Sequence, residues 1–514
     1  MTLINPLAME LANQTVRFPV KEGVRYTVTD LATPSAKIPF AVVDIPEPVQ
    51  KLAERKGGKS KVELVVRLPL IPPLSLVNLA VQEVVGKQEV SQKKTSAANA
   101  VLKGRHMSVH FDDKGAISKV TLADGTTSVS FKNEFHFYKG IEDRARNSGA
   151  YIFRPAEQKP TPAAHVVEAT LHGTAEFTEV HQTFSVDWIS QVVRLVPSVD
   201  GTEDVLEFEW IVGPIPVAVD HIGKELVTRY VTDLNSANRF KTDANARQLL
   251  TRQVDFRPSW KLEVTEPVSG NYYPVNSMIV LEDAQKKLSM AVLVDRSQGG
   301  TSMAPGVAEL MLHRRLLHDD GKGVGEPLSE PGVDGRGLVV RGRHQVVIAP
   351  TGKLARQTRP LTLKNLLPPV ISFSPSSDAQ RRVITGAGAI SSLAKGAASF
   401  SKNVHLLTLE QWRSEDEVLL RLEHFYQKGE DAVLSAPATV SLRNLFEEFE
   451  IVQAKEMTLS AHSPVEQLKE RLRFAYKPIG NVSTPASTPV DPTKLEVILH
   501  PMEIRTFVVK IKRH

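Results

Sequence analysis

Val205-Leu-Glu-Phe-Glu-Trp-Ile211 alternates apolar and acidic side chains. In an extended chain Leu206, Phe208 and Trp210 share one face while Glu207 and Glu209 share the other, the pattern of a half-buried strand with its acids turned to water. The same period of two continues on both sides. Upstream, Met107-Ser-Val-His-Phe111 alternates, meets the turn Asp112-Asp-Lys-Gly115 and resumes from Ile117 to Leu122, a predicted hairpin. Val62 to Leu68, Ser185 to Val196, Met278 to Leu281, Leu419 to Leu422 and Ile504 to Val509 read as further strands. The 30 glycines and 33 prolines fall mostly between these runs, as turn punctuation. Helix is expected at Val465 to Leu472 and at Leu442 to Phe449. The fold class is therefore all-β, a large antiparallel β-sandwich flanked by smaller β domains.

A chain of 514 residues is too long for one hydrophobic core. Residues 1–95 read as a small N-terminal β domain, ending in the polar stretch Ser91-Gln-Lys-Lys-Thr-Ser-Ala-Ala-Asn-Ala100, a predicted linker. Residues 100–350 read as one large sandwich without an internal break. Residues 351–403 are expected to be linker and partly mobile, from the small and polar runs Ser374-Pro-Ser-Ser377, Gly386-Ala-Gly-Ala389 and Lys395-Gly-Ala-Ala-Ser399. Residues 404–514 form a last β domain.

The composition excludes several classes. The 41% apolar and 24% charged content is that of a globular protein, and no run of about 18 apolar residues offers a membrane span. The net charge of +5 is spread over short pairs such as Lys93–Lys94, Arg314–Arg315 and Arg381–Arg382, which argues against a nucleic-acid partner. There is no cysteine, hence no disulfide, thiolate nucleophile or cysteine-bound zinc. HExxH, G-x-S-x-G and Walker motifs are missing. Met1-Thr-Leu-Ile-Asn-Pro-Leu7 lacks the basic start and longer apolar run of a signal peptide. Asn13 and Asn481 head N-x-S/T triplets.

The densest polar cluster runs from His313-Arg-Arg-Leu-Leu-His-Asp-Asp to Gly321-Lys-Gly-Val-Gly325. Its Arg and Asp side chains suit a clamp on sugar hydroxyls, and its glycines allow close backbone approach. An ion-paired loop capping the sandwich explains it equally well. A metal site at His318 and Asp320 would need a second ligand pair, and none stands at recognisable spacing. Ser148-Gly-Ala-Tyr-Ile-Phe-Arg-Pro155 and Gly270-Asn-Tyr-Tyr-Pro274 each lead from a glycine turn into aromatics that either stack on sugar or begin a buried strand. Asp295-Arg-Ser-Gln-Gly-Gly300 lacks the Lys-Ser/Thr ending and following helix of a phosphate loop.

These blocks, in this order, resemble the C-terminal region of the class II α-mannosidases, glycoside hydrolase family 38, in their lysosomal form. Val212-Gly-Pro-Ile-Pro-Val217, Asp255-Phe-Arg-Pro-Ser-Trp-Lys261, Leu420-Arg-Leu-Glu-His424 and Pro501-Met-Glu-Ile-Arg-Thr-Phe507 extend the resemblance over essentially the whole chain. The resemblance implies a retaining, zinc-dependent glycosidase whose metal and nucleophile lie on an N-terminal α/β barrel without counterpart here. It implies no catalytic residue, no metal and no cofactor on this chain, zinc belonging to the family's other half. It implies Tyr151 and Lys322 as sugar-facing groups, and the charged cluster itself adds Arg314, Arg315, Asp319 and Asp320 as candidate substrate contacts. Lys322 stands where relatives carry arginine, and Ala246 where they usually carry glycine. The implied partners are the N-terminal catalytic half and a mannose-containing glycan, with no nucleic acid and no membrane. The implied location is lysosomal or vacuolar. Alone, the chain is expected to be inactive. An inactive scaffold and a mannose-binding β module are the alternatives.

Overall fold

The computed structural model describes residues 1–55, 57–86, 92–143, 146–174, 177–197, 204–375, 392–396, 399–470, 490 and 493–514. Strands dominate, in three packed units. The first stacks a three-stranded sheet (Leu11–Val20, Val62–Ile71, Phe40–Asp44) on a four-stranded one (Val370–Ser372, Thr2–Ile4, Leu76–Val84, Arg25–Asp30) around Leu3, Leu64 and Val66. The second is a sandwich of a nine-stranded and a ten-stranded sheet. The third packs the four-stranded sheet of Val404–Gln411, Glu417–His424, Ile504–Arg513 and Phe449–Met457 against the pair Ala438–Ser441 and Glu496–Leu499.

The strand Val205–Val212 lies in the ten-stranded sheet, between Ile189–Val196 and Val340–Pro350. Its apolar face enters the core as the alternation predicts: the Phe208 ring lies 6.1 Å from that of Phe131 and 5.2 Å from that of Tyr230. The predicted hairpin is present, Met107–Phe111 pairing with Ile117–Leu122. Gly115 in its turn has φ +82° and packs on Ala169, where a side chain would collide, so the position needs glycine.

The acidic face differs from expectation. Glu207 and Glu209 do not meet water but a layer of ions beneath the first unit. Arg194, paired with Glu207 across the strands, donates to Glu209 at 2.7 Å and to Glu179 at 2.7 Å, with Glu207 at 3.3 Å. Arg17 of the first unit bridges Glu63, on its own sheet, and Glu179, on the sandwich, each at 2.8 Å. Burial pushes the Glu209 carboxyl up, but Arg194 and Arg341 outweigh it and hold it at about 2. Burial acts on Glu179 in the same sense, and Arg194 and Arg17 hold it well below the usual range.

Other segments also depart from the sequence reading. The polar stretch expected to link the first two units contains a strand, Lys93–Ser96, which forms one edge of the ten-stranded sheet against Val166–Gly173. The region expected as linker after residue 350 contains the helix Leu354–Leu366. Its Leu354 packs under the sandwich, Leu363 touches the first core, and Arg359 grips Glu430 of the last unit at 2.8 and 2.9 Å. Val370–Ser372 then returns to the first unit and pairs with Thr2–Ile4. Leu442–Asn444 is a single 3-10 turn, the chain entering a strand at Phe449, and Val465–Glu470 is likewise 3-10. Residues 386–389 and Asn481 lie outside the described residues; Asn13 is half-buried on the strand Leu11–Val20, with φ +50°.

The turn joining Arg239–Ala244 to Gln248–Gln253 puts both Asn245 (φ +54°) and Ala246 (φ +58°) in the left-handed region. Asn tolerates this and Ala does not, at a cost of about 1–2 kcal/mol. Ala246→Gly is expected to raise stability by about 0.5–1 kcal/mol, the gain being trimmed by the freer unfolded chain. A urea titration showing no rise in midpoint contradicts the assignment.

Candidate functional site

Tyr151 lies on the loop between the strands Ser128–Lys139 and Thr161–Ala164, and at 67% exposure its ring stands in solvent. The loop beneath it is gripped from the sheet. Glu225 begins the strand Lys224–Thr232 and Arg314 ends Val307–Arg315, and the antiparallel register sets the two opposite each other. Glu225 is fully buried, at 0% exposure. The Arg314 guanidinium donates to both of its carboxylate oxygens and onward to the carbonyls of Gly149 (2.8 Å), Ile152 (3.0 Å) and Ala150 (3.2 Å). The Ser148 hydroxyl lies 2.8 Å from Glu225 Oε1 and accepts the Arg154 N–H at 3.1 Å. The guanidinium is thus engaged by protein on every side.

A second loop closes on the first. Asp320 Oδ2 accepts the N–H groups of Tyr151 (2.6 Å) and Ile152 (3.0 Å), while Oδ1 accepts that of Lys322 at 3.1 Å. Burial pushes the Asp320 carboxyl up, and these N–H groups more than offset it, leaving it below its ordinary value. Asn147 donates to the Asp319 carbonyl at 3.1 Å. The fit is close: a Cβ on Gly149 would sit 2.6 Å from that of Asp320. The Asp319 carboxylate shapes its own turn, accepting from Gly321 at 3.0 Å and Gly325 at 3.2 Å. Lys322 is exposed, and its ammonium makes no hydrogen bond or ion pair among the described residues.

Of the six residues singled out in the sequence, four therefore meet around one pair of loops: Tyr151, Arg314, Asp320 and Lys322. Asp319 shapes the second loop from behind. Arg315, one step along its strand, points to the opposite side, donating to the carbonyls of Ile215 (2.9 Å) and Arg336 (2.7 Å) and to Ser329 (3.1 Å). It lines a different cleft, of about 1590 Å³, between residues 44–54 of the first unit and the sandwich. Glu225 and Ser148 complete the grip on the Tyr151 loop. Their roles follow from strand register and loop closure, which local sequence does not display.

A groove of about 620 Å³ runs from Tyr151 along Phe153 and Arg154 to Tyr272 and Tyr273. The two tyrosines are committed to the protein. The Tyr272 hydroxyl donates to buried Glu309, which also accepts from Tyr138 at 2.9 Å, and the Tyr273 ring is covered by the Arg252 guanidinium at 4.4 Å. That leaves Tyr151 as the free ring. Among the described residues no group of three or more histidine or carboxylate side chains converges as metal ligands do. His318, the candidate ligand, is 46% exposed and among the described residues faces only the Glu142 carboxylate, at 3.6 Å, while both Asp320 oxygens accept from backbone. No helix among the described residues is long and apolar enough to cross a membrane.

Residues 102–322 match the glycosyl hydrolases family 38 C-terminal domain, and residues 403–507 match the glycosyl hydrolases family 38 C-terminal beta sandwich domain. The chain is 38% identical over 522 residues to lysosomal alpha-mannosidase of Homo sapiens, covering 99% of this chain and 48% of that protein. A probable alpha-mannosidase of Arabidopsis thaliana is 36% identical over 471 residues, covering 86% of this chain and 44% of that protein. The chain thus spans about half the length of the curated relatives it matches. A solved alpha-mannosidase of Enterococcus faecalis shares the fold, with TM-score 0.60 at 11% identity over 99% of this chain and 55% of that one.

Proposed function

Because the chain belongs to glycosyl hydrolase family 38 and spans its C-terminal region, we propose that it works as the β-rich half of an α-mannosidase of lysosomal or vacuolar type. In this reading it supplies no nucleophile and no metal ligand. Among the described residues no donor set for zinc converges. The chain instead completes the sugar pocket of a catalytic half, presenting Tyr151 and Lys322 to a terminal mannoside. The observation that supports this is the pairing of a free, exposed aromatic ring with a free cation on two loops zipped together. Tyrosine offers a face for the sugar ring and a hydroxyl for its oxygens. Lysine gives a point charge where arginine would give a planar fork, so in this reading Lys322 holds the sugar through a single-point contact.

The test has two arms. The purified chain, with or without zinc, is expected to leave an aryl α-mannoside intact; zinc-dependent turnover by the chain alone overturns the reading. Calorimetric titration with methyl α-mannoside is expected to give weak heat that Tyr151→Ala reduces roughly tenfold in affinity, about 1.4 kcal/mol. No heat, and no effect of Tyr151→Ala, removes the sugar-facing role.

A further inference from the structure

We propose that Asp320 is a positioning residue that fixes Tyr151 and Lys322 relative to each other, the two loops moving as one body. The inference rests on the sugar-facing reading of Tyr151 and deepens it. A single carboxylate joins the loops, with one oxygen on two N–H groups of the Tyr151 loop and the other on the Lys322 N–H. Three of the roughly four acceptor positions of the carboxylate are therefore occupied by backbone N–H groups, which makes holding the loops its main engagement. The chain reinforces the joint from both sides. Arg314 pins three carbonyls of the Tyr151 loop onto Glu225, and Asn147 ties that loop to the carbonyl of Asp319. Gly149 lets the loops touch, since its missing Cβ would lie 2.7 Å from the Asp320 nitrogen.

The geometry gives the joint a direction. The N–H groups of Tyr151 and Ile152 converge on one oxygen, so the backbone at the base of the Tyr151 side chain cannot turn without breaking bonds to an ionised acceptor. This fixes the point from which the exposed ring projects. A site whose contact groups stand in solvent is orderly only if something beneath them is rigid. Here that element is a carboxylate belonging to the other loop.

Asp320→Asn keeps the size and removes the charge, placing an amide NH₂ against either the Lys322 N–H or the two N–H groups of the Tyr151 loop. Amide hydrogen exchange at Tyr151, Ile152 and Lys322 is expected to quicken about 10- to 100-fold, with exchange in the strand Ser128–Lys139 much less affected. Unchanged exchange at these three amides overturns the proposal. Asn147→Ala, which removes only the tie to the Asp319 carbonyl, is the milder second variant and is expected to quicken the same amides less. The variants are then titrated with methyl α-mannoside. Asp320→Asn should weaken binding, and combined with Tyr151→Ala the loss should be clearly less than the sum of the two, because much of the effect of Asp320 runs through the Tyr151 contact. Faster exchange with undiminished affinity, or additive losses, overturns the positioning role while leaving the sugar-facing reading intact. No binding by the parent chain overturns that reading instead, and the positioning claim falls with it.

Discussion

Replacing Arg194 by methionine is expected to cost about 3–5 kcal/mol, because it leaves Glu179 and Glu209 charged beneath the first unit without their shared cation. The loss should appear as a lower denaturant midpoint for the sandwich, together with earlier release of the first unit, whose Arg17 shares Glu179. Arg341→Met is the control. Arg341 also binds Glu209, but its side chain is 47% exposed, so its loss should cost about 1 kcal/mol or less. Equal losses in the two variants contradict the account. The pH dependence follows from the direction of the shift. Glu209 is held at about 2 in the fold, below its ordinary 4.5, so its contribution is present above about 4.5 and disappears as pH falls towards 2. With Arg194 gone, burial is left to raise the Glu209 carboxyl, so the Arg194 penalty should be largest at neutral pH and shrink as pH falls and the carboxyl takes up a proton.

Phe208→Ala is expected to cost about 3–5 kcal/mol, from lost burial and from the void left between the rings of Phe131 and Tyr230. The side chain is fully buried at the meeting of the two large sheets. A broad, less cooperative unfolding transition should accompany the loss. Phe208→Leu, which fills most of the volume, should recover more than half of it. Were alanine tolerated with less than about 1 kcal/mol, the sheet contact at this point would not be the centre of the core.

These two residues also mark what the sequence could convey. A period of two identifies a strand and separates its faces, and it rightly sends Phe208 and Trp210 inward. It does not say what covers the other face. Glu207 and Glu209 read as solvent-facing, yet they lie under an ionic layer completed by Arg17 from a distant segment. Lys93–Ser96 is a fully exposed edge strand, so it has no alternation to find and reads as linker. Leu354–Leu366 carries Pro360 and a polar, basic face, and its helical identity comes from the three units it touches rather than from its own propensity. In the candidate site the Tyr151 and Lys322 loops stand out in the sequence. Glu225 does not, because its meeting with Arg314 is set by strand register across residues far apart in the chain.

The strand Val370–Ser372, laid against Thr2–Ile4, has a consequence for how the protein is made. During synthesis the first strands leave the ribosome long before the one that closes their sheet. The edge at Thr2–Ile4 must stay open while the whole sandwich is translated, since its last neighbour follows the helix Leu354–Leu366. Contacts this remote delay closure and expose an unpaired strand in the meantime. The unit that precedes the sandwich in the chain is thus completed only after it, by the strand that the helix Leu354–Leu366 delivers.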